Sequence, residues 1–269
     1  MNKTFRALVV TAAIALTAGA CGGGSDATET LQPADAVRAA VSTTTHEQSS
    51  RLAMTIHTDA GAIKVDMTAD GLFDYAKKTG RMSMTVPGSG QKIEAIMTAS
   101  TMFMNVPGQG SSYYALPMKE LGGTSFGSTA DPTQSLQVLT GLSDDVTSVG
   151  TEKVRGDETT HYRGTYDLRR SLAKLNGLTK QAVQKLVDSG ATTIVPFDAY
   201  VDAQGRLRKL VQVTTTKLPS STQDVHSTVT MELYDFGTPV SVTVPTDVKD
   251  GSALLGAIKG QLGSSGSAG

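Results

Sequence analysis

Between residues 50 and 106, apolar side chains fall on every second position four times over. Leu52, Met54 and Ile56 alternate with Arg51, Thr55 and His57. Ile63, Val65 and Met67 alternate with Lys64, Asp66 and Thr68. Met82, Met84 and Val86 follow the same rule, as do Met102, Met104 and Val106. This period commits the segment to strands with one buried face. Short turn sequences separate them: Asp59-Ala60-Gly61, Lys77-Lys78-Thr79-Gly80, Gly88-Ser89-Gly90 after Pro87, and Pro107-Gly108-Gln109-Gly110. Successive strands joined by tight turns make an antiparallel meander. Its apolar face is unusual, because eight of the nine non-initiator methionines lie between Met54 and Met118. Methionine adapts to irregular apolar partners. That face therefore packs either on helices of the chain itself or on an apolar ligand.

The rest of the chain alternates helices with more strands. Pro33 suits a first helical turn, and Ala36, Val37, Ala40 and Val41 form one stripe of a helix over 33–43. Asp131 and Pro132 open a second helix carrying Leu136, Leu139 and Leu142. Helical spacing also marks 168–175 and 179–189, with Gly190 as a stop. Strands are expected at 146–155, 159–166, 194–202, 206–217 and 225–236, with a short edge strand at 239–244. A frayed helix is expected at 254–262. The order predicts an α+β fold, a strongly curved antiparallel sheet of about ten or eleven strands with helices packed on its concave side. A half-barrel of this size can enclose a ligand.

The first 21 residues set the compartment. Lys3 and Arg6 precede a small, apolar run over 7–20, which ends Leu16-Thr17-Ala18-Gly19-Ala20-Cys21 and gives way to Gly22-Gly23-Gly24-Ser25. A basic start, a short apolar stretch and small residues at the cleavage site read as a signal peptide over 1–20. Cys21 is the only cysteine, so no intrachain disulfide can form. Its setting is that of a lipobox, with Ala18 where Leu is more usual. Cys21 would become the mature N-terminus and carry a diacylglyceryl group, which with further acylation gives stable anchoring. Residues 21–31 read as a flexible tether, 32–249 as the folded domain and 250–269 as a flexible tail. Without the leader the chain holds 22 basic and 25 acidic residues and no basic stripe, which argues against nucleic acid as a partner.

Several short motifs carry a resemblance over most of residues 33–248. They are Tyr114-Ala115-Leu116-Pro117, Asp131-Pro132, Gly150-Thr151-Glu152-Lys153-Val154-Arg155-Gly156, Thr160-His161-Tyr162, Pro196-Phe197-Asp198-Ala199-Tyr200-Val201-Asp202 and Gly205-Arg206-Leu207-Arg208. In order and spacing, together with the lipobox, they resemble the actinobacterial LppX/LprAFG-type lipoproteins of the LolA/LolB-like half-barrel fold. Tyr200 stands where relatives often have Trp. The resemblance implies a carrier of lipid or lipoglycan acyl chains, held in an apolar cavity between sheet and helices. It transfers no catalytic set.

No residue constellation points to chemistry. His46, His57, His161 and His226 lack partners at metal-ligand spacing, and the last three read as polar residues on the strand face opposite the apolar one. No Gly-x-Ser-x-Gly elbow is present. The acid pairs Asp144-Asp145 and Asp157-Glu158 sit in turns. The expectation is a non-enzymatic lipoprotein with no cofactor or metal, anchored through Cys21 on the outer face of the cytoplasmic membrane. Candidate cavity residues are Leu52, Met54, Ile56, Val65, Met67, Met82, Met84, Met102, Met104, Val211, Val213, Val229 and Met231. An interaction or sensing module acting on a membrane partner is the alternative, and it requires a filled core.

Overall fold

The computed structural model describes residues 31–61, 63–121, 132–175, 177–188, 192–217 and 224–263. The expected signal peptide, Cys21, the tether up to residue 30, the helix opener Asp131 and the helix stop Gly190 lie outside these residues. β1 (Ser49–Ala60), β2 (Ile63–Asp74), β3 (Thr79–Thr85), β4 (Lys92–Met97), β5 (Thr101–Asn105) and β6 (Tyr113–Pro117) are the meander read from the alternation. β7 (Thr147–Val154), β8 (Asp157–Asp167), β9 (Ile194–Asp202), β10 (Leu207–Lys217) and β11 (Asp224–Tyr234) follow, and β12 (Val248–Asp250) comes last.

All twelve join one open, curved sheet in the order β12-β6-β5-β4-β3-β2-β1-β11-β10-β9-β8-β7. β1 is the seam. It pairs with β2 on one side and β11 on the other, so the β2–β6 meander and the β7–β11 wing meet at this one strand. Every pairing is antiparallel except β12 with β6. The strand count is slightly higher than expected, and its last member is in a different place. Residues 239–244 form no strand, because Pro239 and Pro245 bound a stretch without ladder partners. Instead, residues 235–247 run as an irregular strap from the end of β11 to the far edge of the other wing. Gly237 N donates to Ser49 O at the start of the strap, and Tyr113 N donates to Asp247 O at its end.

The helices are α1 (Pro33–His46), α2 (Met118–Leu121), α3 (Pro132–Gln137), α4 (Leu168–Ser171), α5 (Gly177–Asp188) and α6 (Ser252–Gly263), with a 3-10 turn at Val138–Gly141. α1 buries the stripe Val37, Ala40 and Val41, and Thr44 Oγ1 accepts a hydrogen bond from Leu207 N at 2.7 Å. α2 was not foreseen. It is a single turn whose one buried residue is Leu121. The helix expected over 168–175 is one turn only; Asp167 caps it by accepting from Arg169 N, and Leu172–Lys174 are turn. α6 begins two residues into the expected tail and buries Leu255, so the folded body extends past 250. Gly251 is why β12 can sit against β6. A Cβ there would lie 2.5 Å from Ala115 O and 2.6 Å from Leu116 Cδ2.

Register decides which side chains share a face, because directly opposed residues project the same way. Leu52 faces Leu233, Met54 faces Met231, Met82 faces Ala95, and Met102 faces both Met97 and Leu116. These side chains are buried in one core with Val37, Ala40 and Val41 of α1, Leu121 of α2, Leu136 of α3, and Leu139 and Leu142 beyond it. The helices therefore cover this inner, concave face.

Candidate functional site

The inner face is not uniformly covered. Moving along β1 away from its start, successive inner residues go from sealed to open. In the row through Met54, the side chains of Ala69, Met84, Met231, Leu210 and Ala199 are all buried. The next row runs Met67, Ile56, Val229, Gln212 across β2, β1, β11 and β10, and all four are half-buried. The row beyond brings Val65, Thr58, Ser227 and Thr214 to the rim. There Thr58 Oγ and Ser227 Oγ are 3.4 Å apart, and Thr214 Oγ1 donates to Ser227 O at 3.4 Å. The result is an apolar trough with a hydroxyl lip. On β4, Ile93 ends the row through Met54 opposite Met84 and is half-buried.

The trough closes at its β8–β9 end. Phe197, directly opposite Gln212, is 2 % exposed, and Val195 and Tyr166 are buried beside it. The Tyr166 and Phe197 rings lie tilted with centroids 6.2 Å apart. Gln212 Nε2 donates to Tyr166 Oη at 2.8 Å, reaching over β9. Burial pushes the Tyr166 phenol well above its ordinary value, so it stays a neutral hydroxyl.

The candidate residues divide accordingly. Leu52, Met54, Met82, Met84, Met102, Met104 and Met231 lie on the inner face but are sealed under the chain's own helices. Ile56, Val65, Met67 and Val229 line the open part. Val211 and Val213 are on the other face. Val211 is opposite Thr230 and Asp198, Val213 is opposite Thr228, and Val213 is 37 % exposed. Leu210 and Gln212 take their places inside. Parity on β10 is reversed because valine suits a strand on either face, and a register shift between Leu207 and Lys209 resets the count from the preceding hairpin. Gln212, Tyr166 and Phe197 were not singled out. The alternation of Val195, Phe197 and Ala199 was a usable signal for the second, whereas a glutamine facing inward gives none.

The outer face carries the polar clusters. His161 is on that side, as expected, but is 3 % exposed. Its ring stacks on Tyr200 with centroids 4.4 Å apart, and its nitrogens lie 2.8 Å from Glu152 Oε1 and 2.6 Å from Asp198 Oδ1. His57 is exposed against Asp66. Among the described residues, no group of three or more His, Cys, Asp or Glu could hold a metal ion. A second concavity, of about 470 Å³, lies at the β6–β12 edge between Pro117, Asp250 and Leu255, far from the trough.

Comparison with known proteins adds a family and a fold. The family model for LppX/LprAFG lipoproteins matches residues 32–242. The lipoprotein LppX of Mycobacterium tuberculosis superposes with a TM-score of 0.51 at 16% identity, covering 78% of this chain and 98% of that one. LprF from Mycobacterium bovis gives a TM-score of 0.46 at 15% identity, over 79% of this chain and 96% of its own. A LolA superfamily protein from Nitrosomonas europaea gives 0.34 at 11% identity, over 80% and 96%. No curated protein matches the chain.

Proposed function

The chain belongs to the LppX/LprAFG lipoprotein family, and from that premise we propose that it is a non-enzymatic lipid carrier of the cell envelope. Cys21 would bear its anchor and hold it on the outer face of the cytoplasmic membrane. The cargo would be the acyl part of a lipid or lipoglycan, laid in the trough formed by Met67, Ile56 and Val229. The observation that carries this reading is the graded burial of one continuous apolar face, sealed by helices at one end and half-open at the other. Burying a 16-carbon chain returns on the order of 12 kcal/mol at about 0.8 kcal/mol per CH₂. Association costs of roughly 4 to 15 kcal/mol oppose it. One chain is then held reversibly, as a carrier requires.

Mass spectrometry of an organic extract tests the reading. The full chain carrying Cys21→Ser, purified from its native host, should yield a stoichiometric lipid. Ile56→Trp, which fills the trough, should lower that yield severalfold and leave the protein folded. An extract with no lipid from the Cys21→Ser protein would remove the carrier reading. It would favour an interaction module instead, a second reading motivated by the sealing of Met82, Met84, Met102 and Met104 beneath the chain's own helices.

A further inference from the structure

We infer that Gln212 and Tyr166 form a polar anchor at the closed end of the trough, and that they bind the carbonyl of an acyl chain lying across the strands. This inference rests on the carrier reading and adds to it the direction of the chain and the group that is recognised.

The register supplies the track. Gln212 is opposite Val229, Val229 is opposite Ile56, and Ile56 is opposite Met67. The four form one row perpendicular to the strands, all half-buried. From Gln212 to Met67 the row crosses three inter-strand gaps, about 14 Å at the usual strand spacing. An acyl chain spans roughly 15 Å in one leaflet of a bilayer whose hydrocarbon core is ~30 Å thick. One chain therefore fits the row with little overhang.

The two ends of the row differ in chemistry. At Met67 the track is apolar. At the other end Gln212 supplies the row's only hydrogen-bonding side chain, and its amide is tied to the buried Tyr166 hydroxyl. That bond uses Nε2 as donor and the phenol oxygen as acceptor. It leaves the second amide hydrogen of Gln212 and the phenol hydrogen of Tyr166 as donors beside the trough. A carbonyl oxygen accepts both, and a methylene accepts neither. Phe197, opposite Gln212 and packed near Tyr166, closes the track beyond this point. The carbonyl end is thus placed at β10, and the methyl end runs towards β2.

Both donors are neutral, so the shared chemistry is a carbonyl, whether in an ester or in a free acid. The absence of a cation in the row favours the ester, since a carboxylate would lose hydration there without a counter-charge.

The test uses the delipidated full chain carrying Cys21→Ser and three 16-carbon probes: the methyl ester, the free acid and hexadecane. We expect the methyl ester to bind about tenfold more tightly than hexadecane, the scale of one or two net hydrogen bonds. Adding Gln212→Leu should erase that difference. Tyr166→Phe should erase part of it. Preference for the acid over the ester would also support the anchor and would identify a free fatty acid as cargo. If all three probes bind equally to the Cys21→Ser protein, or if Gln212→Leu leaves the ester preference intact, the anchor is overturned. If none of the three binds, the carrier reading itself fails. Thermal unfolding of each variant separates loss of binding from loss of fold.

Discussion

Met104 and Met67 sit on the same concave face and have the same side chain, yet truncating them should have opposite consequences. Met104 is 2 % exposed, between Ala95 and Tyr114 of the neighbouring strands and inside the core shared with the helices. Met104→Ala removes three heavy atoms from a packed interior. Buried Met→Ala changes of this kind cost about 2–5 kcal/mol, with a cavity contribution included. For a domain of this size each kcal/mol is worth roughly 2–4 °C in Tm, so a mid-range loss of about 3 kcal/mol corresponds to a fall of about 6–12 °C. Met67 is half-buried in the open row. Its truncation in the delipidated protein should cost about 1 kcal/mol or less, since only part of its surface leaves water on folding. The order reverses for lipid. Met67→Ala should lower the affinity for a 16-carbon ester severalfold, and Met104→Ala should change it little in molecules that remain folded. Urea unfolding of the delipidated Cys21→Ser protein measures the first pair of values, and probe titration measures the second. Equal destabilisation by the two substitutions would refute the division of the face into a sealed part and an open part.

Three other outcomes follow from packing and charge. Asp202 is buried between Arg206 and Arg208 and accepts the backbone N–H groups of Gln204 and Arg206. Asp202→Ala should therefore cost about 1–3 kcal/mol by removing the acceptor of two backbone N–H groups and of the Arg206 guanidinium, while Arg208 keeps its ion pair with Asp157, as chemical denaturation would show. Hydrogen bonding from the Arg169 guanidinium holds the Asp167 carboxyl below its ordinary 3.8, against the opposing effect of its burial. A lowered folded value means that this contribution is present above 3.8 and is lost as pH falls through the folded value. The stability gap between wild type and Arg169→Ala should then be small at neutral pH, because Arg169 is largely exposed, and should close in acid unfolding curves. Gly251→Ala should push β12 off β6, at a cost of about 1–3 kcal/mol from overpacking. Faster amide exchange confined to 113–115 and 248–255 would identify the lesion, and protection unchanged there would contradict it.

The meander was legible because every strand from β1 to β5 repeats the same apolar period on one face, and short turns leave no room for another topology. The Met-rich side could be assigned by parity alone, and eleven of the thirteen residues chosen for it do share the inner face. Parity misled at Val211 and Val213, where the apolar residues point outward and a glutamine points in. β12 was missed because three exposed residues have no period to read, and its parallel partner lies more than 130 positions earlier. His161 shows another limit. Its face was correct, but its burial depends on Tyr200, Glu152 and Asp198, which register alone brings together. The trough itself was invisible to periodicity, because Met54 and Ile56 are equivalent in the alternation. What separates them is how far the helices reach along the face, and that is set by loops and helix lengths rather than by the strands.

The strap over 235–247 has a mechanical consequence. It starts at the seam, where Gly237 is tied to Ser49, and ends at the outermost edge of one wing, where Asp247 receives Tyr113 N and Ser112 Oγ. Between these knots the wing is six inter-strand gaps wide, about 29 Å along the sheet. The eleven residues from Gly237 to Asp247, pulled straight, reach at most about 36–40 Å. The strap thus acts as a bowstring across a bent bow: the sheet can flex, but only until the string is taut. Shortening that string by two or three residues should draw the wing tighter around whatever lies against it, and lengthening it should let the wing relax.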